Sequence, residues 1–288
     1  MKVLYHLNPE LPFRIHNENF GDIYKLFKKT STDYDLYLET VGAYGNEHIH
    51  IWINETDAIN ADYLTKNFDY NSFLKFLYKV DKNHPFYFFP ERFNSPEQLI
   101  QKVNADASYW NKATEAMANL QLHMWFEGIG KHEWINNYYK ENNKFINSAY
   151  HSQEDRKFAA VQTLIQIIDP TVPNPRIVSD QRQIQLLSVE GSHTIKHPIN
   201  LQLEKSGFVK AKVYFNENVE GISLSDETIT FFGQDKAISH KLILAIETLK
   251  LIKDKSYSLV ILVQTEYETL SIPVEIKVVF PKKLTIPN

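Results

Sequence analysis

Ile168-Asp169-Pro170-Thr171-Val172-Pro173-Asn174-Pro175 divides this chain. Three prolines within six positions stop a helix and exclude a central strand, because proline has no amide proton and its ring collides with the preceding turn. Upstream of this stretch, apolar residues recur at three- and four-residue steps. Downstream, they alternate with polar ones. The reading is an α+β chain with segregated halves, helical before the prolines and all-β after them.

The stretch is also a repeated phrase. Val80-Asp81-Lys82-Asn83-His84-Pro85-Phe86 and Leu7-Asn8-Pro9-Glu10-Leu11-Pro12-Phe13 share its form, an apolar residue, then Asn or Asp, then a proline that forces an extended exit. This is a helix-stop signal. The third copy is partial and lies 88 positions after the second. Around the first two copies the likeness widens. Residues 4–53 lie over 77–126 at a constant offset of 73, with 13 of 50 positions identical, where about 3 are expected from ordinary residue frequencies. Phe13/Phe86, Phe20/Phe93, Leu26/Leu99, Asp33/Asp106, His50/His123 and Trp52/Trp125 are among the matches. Such a repeat implies stacked units, none able to bury its apolar face alone.

Each unit reads as helices. Ser95-Pro96-Glu97-Gln98 is a capping box with proline at the first helical position, and Leu99, Ile100 and Val103 form the stripe behind it. One longer helix is expected from about Asp106, carrying Trp110, Ala113, Met117, Leu120 and Met124, with Gly128 and Gly130 as its stop. Ser152 opens the last helix, which buries Phe158, Val161, Leu164, Ile165 and Ile168. Asp33 and Asp106 read as helix caps. The expected organisation is a helical repeat domain over 1–168 (unit 1 about 12–81, unit 2 about 85–168), a linker at 169–176, a β domain at 177–283 and a tail at 284–288. The opening segment Met1–Phe13 either caps the array or follows an upstream unit that relatives carry.

The β half holds alternating runs at Ile199–Leu203, Val209–Phe215, Leu242–Ile246 and Ile272–Phe280, with a more buried strand at Tyr257–Val263. Shorter runs at Ile184–Val189, Ile222–Leu224 and Thr228–Phe232 bring the expected strands to seven or eight, enough for a Greek-key sandwich. Val189-Glu190-Gly191, then Asn200 and Leu201, then Leu249 to Tyr257 leading into Ser258–Thr265, and finally Leu270-Ser271-Ile272-Pro273-Val274 follow a familiar order. It resembles the immunoglobulin-like domains of the ASH, MSP and hydin type, over about residues 178–281. That resemblance implies a protein-binding or spacer module without catalytic residues. The helical half resembles no named family.

Composition narrows the function. The chain has 288 residues and no cysteine, which excludes a disulfide framework and any thiolate metal site. The first residues contain no continuous apolar run, no stretch has the length of a membrane span, and a cytosolic location is expected. Lys and Arg number 17 against 22 Asp and Glu in residues 1–175, and 14 against 13 in 176–288. No basic stripe exists to follow a phosphate backbone, so neither nucleic acid nor membrane is an expected partner.

Motifs for chemistry fall short. His132-Glu133-Trp134-Ile135-Asn136 opens like a zinc-protease helix, but Asn136 stands where the second histidine must be. Gly128-Ile129-Gly130-Lys131 lacks the first glycine and the final hydroxyl of a phosphate loop. His48 and His50 share a face only on a strand, and their surroundings are helical. Gly191-Ser192-His193 is no nucleophile elbow. Catalytic, cofactor and metal residues are therefore all expected to be none.

One stretch stands out, Pro85-Phe86-Tyr87-Phe88-Phe89-Pro90-Glu91-Arg92-Phe93. The first unit has Arg14, Ile15, His16 and Asn17 at the positions of Tyr87 to Pro90, so the repeat does not itself require this aromatic density. Two readings stand, a filled seam between helical units or an aromatic surface that binds a partner through Tyr87, Phe88, Phe89 and Phe93. The expected function is a non-enzymatic scaffold, adaptor or accessory subunit that binds other proteins in a bacterial-type cytosolic complex, of signalling or defence. The alternatives are a ligand- or carbohydrate-binding sandwich with a helical accessory, and an enzyme with an unrecognised site.

Overall fold

The structure is a computed structural model and describes residues 12–56, 61–89, 91–142, 152–190, 193–204, 207–233 and 238–279. The chain divides into two compact units, Met1–Val103 with Ser108–Lys140, and Asn104–Ala107 with Glu141–Asn288. The first copy of the helix-stop phrase, up to Leu11, lies outside the described residues, as does the tail 284–288.

The first unit is built twice. Strands β1 (Phe13–Ile15) and β2 (Glu18–Phe20) form an antiparallel hairpin, followed by α1 (Ile23–Thr30), α2 (Tyr34–Gly45), α3 (His48–Thr56) and α4 (Tyr70–Val80). At an offset of 73, β3 (Phe86–Phe88) and β4 (Glu91–Phe93) form the second hairpin, and α5 (Pro96–Ala105), α6 (Ala107–Ala118) and α7 (Gln121–Gly128) follow. Helix α8 (His132–Asn142) comes next. Strands of three residues are too short to show alternation, so a purely helical reading misses both hairpins.

Local chemistry starts these helices where the residues require. Carboxylates of Asp22, Asp33 and Asp69 accept the amides of Lys25, Leu36 and Ser72. Ser95 accepts from Gln98 N, while the Gln98 side chain accepts from Asn94 N in return. The single long helix expected from Asp106 is in fact two. Leu120 takes φ +62° between α6 and α7, as Glu47 takes φ +67° between α2 and α3, 73 positions earlier. A left-handed residue ends one helix and re-aims the next. The first unit announces this break through Gly45-Asn46, and the second hides it under continuous apolar spacing.

The core of each repeat centres on a tryptophan. Trp52 stacks on Phe13 with ring centroids 4.8 Å apart and planes at 18°; Trp125 stacks on Phe86 at 5.0 Å and 17°. All four side chains are buried. Helices α4 and α7 join the repeats at close range. A Cβ placed on Gly128 would stand 2.2 Å from the Cβ of Tyr78, so the seam needs glycine there.

The second unit is a two-layer sandwich with a helix. Among the described residues nine strands occur, β5 (Ile177–Ser179), β6 (Ile184–Glu190), β7 (Thr194–Leu203), β8 (Gly207–Phe215), β9 (Ile222–Leu224), β10 (Thr228–Gly233), β11 (Ser239–Glu247), β12 (Ser256–Gln264) and β13 (Thr269–Val279). One sheet runs β10-β8-β12-β13-β6 and the other β5-β7-β11-β9. All pairings are antiparallel except β13 with β6. Inward residues such as Ile199, Leu201, Leu244, Ile261 and Ile276 fill the space between the sheets. Pro273 lies in β13 one residue before the pairing with β6 begins, so its missing N–H disturbs no bond on that side. The Tyr257 hydroxyl accepts the Ile252 amide at 2.8 Å, in the manner of a tyrosine corner.

Helix α9 (Gln153–Ile168) belongs to this second unit. The proline-rich stretch was the expected border, with this helix on the other side of it. Packing explains the difference. Phe158 contacts Phe208 and Phe232, Asp155 pairs with Lys210, and the Gln162 carboxamide oxygen accepts the Phe208 amide at 3.2 Å. Gly207 sits at φ +136°, where a Cβ would stand 2.4 Å from that same oxygen. Yet α9 ends as α4 does. Asp169 N donates to Ile165 O and Asp81 N to Leu77 O, both at 2.8 Å, and each aspartate carboxylate accepts the amide two residues on. The shared phrase thus has a shared shape.

Candidate functional site

The aromatic stretch 85–93 divides by strand alternation. In the β3–β4 hairpin Phe86 pairs with Phe93, Tyr87 with Arg92 and Phe88 with Glu91. Successive side chains point to opposite faces. Phe86, Phe88 and Phe93 therefore face the core, where Phe88 and Phe93 pack near Tyr109 at 6.4 and 6.0 Å. Both are buried and unavailable to a partner, which removes two of the four residues expected at a binding surface.

Tyr87 faces the other way, into a cluster of rings. It lies 4.6 Å from Tyr37 and 5.2 Å from Tyr34, and its hydroxyl donates to Thr30 O at 2.7 Å. This half-buried tyrosine ties the second hairpin to the end of α1. Phe89 continues past it onto the surface and is 62% exposed. Its ring stacks on Tyr34 at 5.0 Å and 27°. Lys112 donates to the Phe89 carbonyl at 2.7 Å, and Arg92 donates to Ser31 O at 2.7 Å. The backbone beneath the exposed ring is therefore anchored. Leu38, one turn along α2 from Tyr34, is also exposed. Of the four expected residues, Phe89 alone offers a free ring face, and Tyr34 and Leu38 are the neighbours that the sequence reading missed. Their signal was available: helical spacing puts 34 and 38 on one face.

Below the platform lies His84, a buried titratable group that sequence reasoning passed over. Its Nδ1 is 2.9 Å from Pro85 O and its Nε2 3.0 Å from the Thr30 hydroxyl. Burial pushes its pKa down to about 4, against the opposing pull of the Pro85 carbonyl and Asp81. The ring is neutral at physiological pH, with Nδ1 donating to the carbonyl. Burial likewise raises the Tyr37 and Tyr78 hydroxyls well above their ordinary value. The Tyr37 and Tyr70 hydroxyls share a hydrogen bond of 2.7 Å. These groups are structural polar contacts within an aromatic cluster.

His50 is buried against Tyr44 and Phe68, with Nε2 3.1 Å from Thr65 O. Among the described residues no group of three or more His, Asp or Glu is placed to hold a metal ion. None of the described helices is long and apolar enough to cross a membrane.

No protein-family model matches the chain, and no curated protein matches it. Solved structures do resemble its sandwich. A candidate carbohydrate binding protein from Bacteroides ovatus is 12% identical with a TM-score of 0.31, over 36% of this chain and 37% of that one. The ASH/PapD-like domain 7 of human CEP192 is 9% identical with a TM-score of 0.30, over 37% and 87%. The C. elegans MSP family member WR4 is 11% identical with a TM-score of 0.27, over 35% and 96%. The chain thus spans little more than a third of the first of these. The latter two bear the ASH and MSP names that the strand motifs resemble; what this chain does rests on its own residues.

Proposed function

We propose that this protein is a non-enzymatic adaptor that holds other proteins in a cytosolic complex of the bacterial type, with the Phe89 platform as one of its contact surfaces. The observation that carries the reading is the exposed Phe89 ring, stacked on Tyr34 and anchored through its carbonyl by Lys112. The first repeat folds with His16 at the equivalent position, so the fold does not need a phenylalanine there. Rigid exposed aromatics contribute much of the affinity at protein interfaces, since they bury large area with little loss of side-chain freedom.

A Phe89→Ser variant tests this. Its circular dichroism and melting temperature should match wild type, because the ring is mostly exposed, while partner recovery in a pull-down from the source cells should be lost. Recovery of the same partners by Phe89→Ser and by a Tyr34→Ser, Phe89→Ser double variant would remove the platform from the account.

A further inference from the structure

The two repeats act as controls for each other. Helix α2 buries Leu36, Tyr37, Thr40, Ala43 and Tyr44. Leu38 and Gly42, one turn apart, lie along the opposite face, and both are exposed. At an offset of 73 the second repeat has Asn111 and Glu115, ordinary residues for a solvated helix face. Gly42 is the larger departure, since glycine is a poor helix former. A Cβ there meets no atom within 4 Å among the described residues, and its φ is not positive. Neither packing nor backbone conformation asks for glycine. Tyr34 begins the same row and carries the Phe89 ring stacked on it, so the row reads ring, leucine, gap.

Charge differs as well. Helix α2 carries Asp35 and Glu39, both exposed, and no Lys or Arg. Their equivalents in the second repeat are Ser108 and Lys112, so the fold does not demand this acidity. The carboxylates act together on one group. Glu39 lies 2.8 Å from the His16 ring, and that hydrogen bond, followed by the charges of Glu39, Asp33 and Asp35, raises the pKa of His16. The cations of the platform stand on other elements, Arg92 bound to Ser31 O and Lys112 to Phe89 O.

We propose that the partner of the Phe89 platform docks as a cationic amphipathic helix laid along α2. One large side chain sits over Gly42, aliphatic side chains meet Leu38 and the Phe89 ring, and lysines or arginines lie beside Asp35 and Glu39. Rows of side chains four residues apart interlock with such rows on another helix, and the gap at Gly42 takes the bulkiest member. An extended peptide fits less well. The backbone groups inside α2 are spent on its own hydrogen bonds, whereas a helix arrives with its backbone already satisfied. This deepens the platform reading and rests on it, adding the chemistry of what binds.

The test uses the full chain and a fluorescent, stapled helix with leucines at three- and four-residue spacing and lysines between them. Fluorescence anisotropy should show binding that weakens with added salt. It should fall about ten-fold in Leu38→Asn and in Gly42→Gln, as for central contacts. Neither substitution alters charge, so unspecific attraction of the lysines would survive both. Gly42→Gln should also raise the melting temperature, since glutamine favours helix over glycine. An Asp35→Asn, Glu39→Gln variant should bind more weakly and with less dependence on salt. No binding by the lysine helix, equal binding by a glutamate or proline-broken version, or indifference to Leu38→Asn and Gly42→Gln overturns the proposal. So does sedimentation showing a dimer that Gly42→Gln makes monomeric, which gives the seat to a second copy. Pull-downs separate the two readings. Partners lost by Phe89→Ser but kept by Gly42→Gln leave the platform standing and refute the helix, and partners kept by both variants refute both.

Discussion

Trp52 and Trp125 show how much of a repeat one residue can hold. Each is buried and stacked on the phenylalanine that opens its hairpin, with nearly the same separation and tilt. Truncating either to alanine should lower stability by about 3–5 kcal/mol, since a large ring leaves a cavity that its neighbours only partly fill. Denaturant melts of both variants check this, and a loss below about 1 kcal/mol in either would break the equivalence. His84 makes a second claim at this scale. Its pKa falls from 6.5 to about 4 on folding, so between those values the unfolded chain binds more protons than the folded one. The stabilisation is complete above pH 6.5 and is lost as pH drops through 4, by about 3 kcal/mol in all. The charges acting on the ring are Asp81 and Lys28, and the Thr30 hydroxyl and the rings of Tyr37, Tyr78 and Tyr87 pack around it. A His84→Gln variant should therefore lose less stability than wild type between pH 7 and pH 4 in parallel urea melts. Equal losses would mean that His84 does not titrate in this window.

At the scale of elements, the joints carry the specificity. Gly128 lets α4 and α7 approach until Tyr78 covers the helix backbone, and Gly128→Ala should cost about 1–3 kcal/mol through overpacking. A thermal melt unchanged by that substitution would show the seam to be looser than drawn. The position is legible in the sequence only as a helix stop, which it also is, since α7 ends there. Its second role depends on a residue 50 positions earlier. The joint of α9 with β8 is similar. Gln162 is fully buried and its oxygen accepts the Phe208 amide, so Gln162→Leu should remove that acceptor and cost about 1–3 kcal/mol. Amide hydrogen exchange at Phe208 would report the loss directly.

For the whole molecule, the last helix decides where the parts divide. It has the ending of a repeat helix and the packing of a sandwich helix. A fragment beginning at Ser152 should unfold in one cooperative transition at a higher temperature than a fragment beginning at Ile177, because only the longer one retains the contacts of Phe158, Asp155 and Gln162. Equal melting temperatures would return the border to the prolines. What the sequence by itself determined is the division into a helical and a β half, the period of 73, the caps at Asp33, Ser95 and Ser152 and the inward faces of the long strands. Each of these follows from residues within one or two turns of one another, where capping and periodicity operate. Tertiary structure alone decided which rings of 85–93 are core, that Leu120 interrupts a helix, that β6 runs parallel to β13, and that α9 packs on the sandwich. These depend on groups far apart in the chain, and local pattern carries no record of which distant surface a side chain will meet.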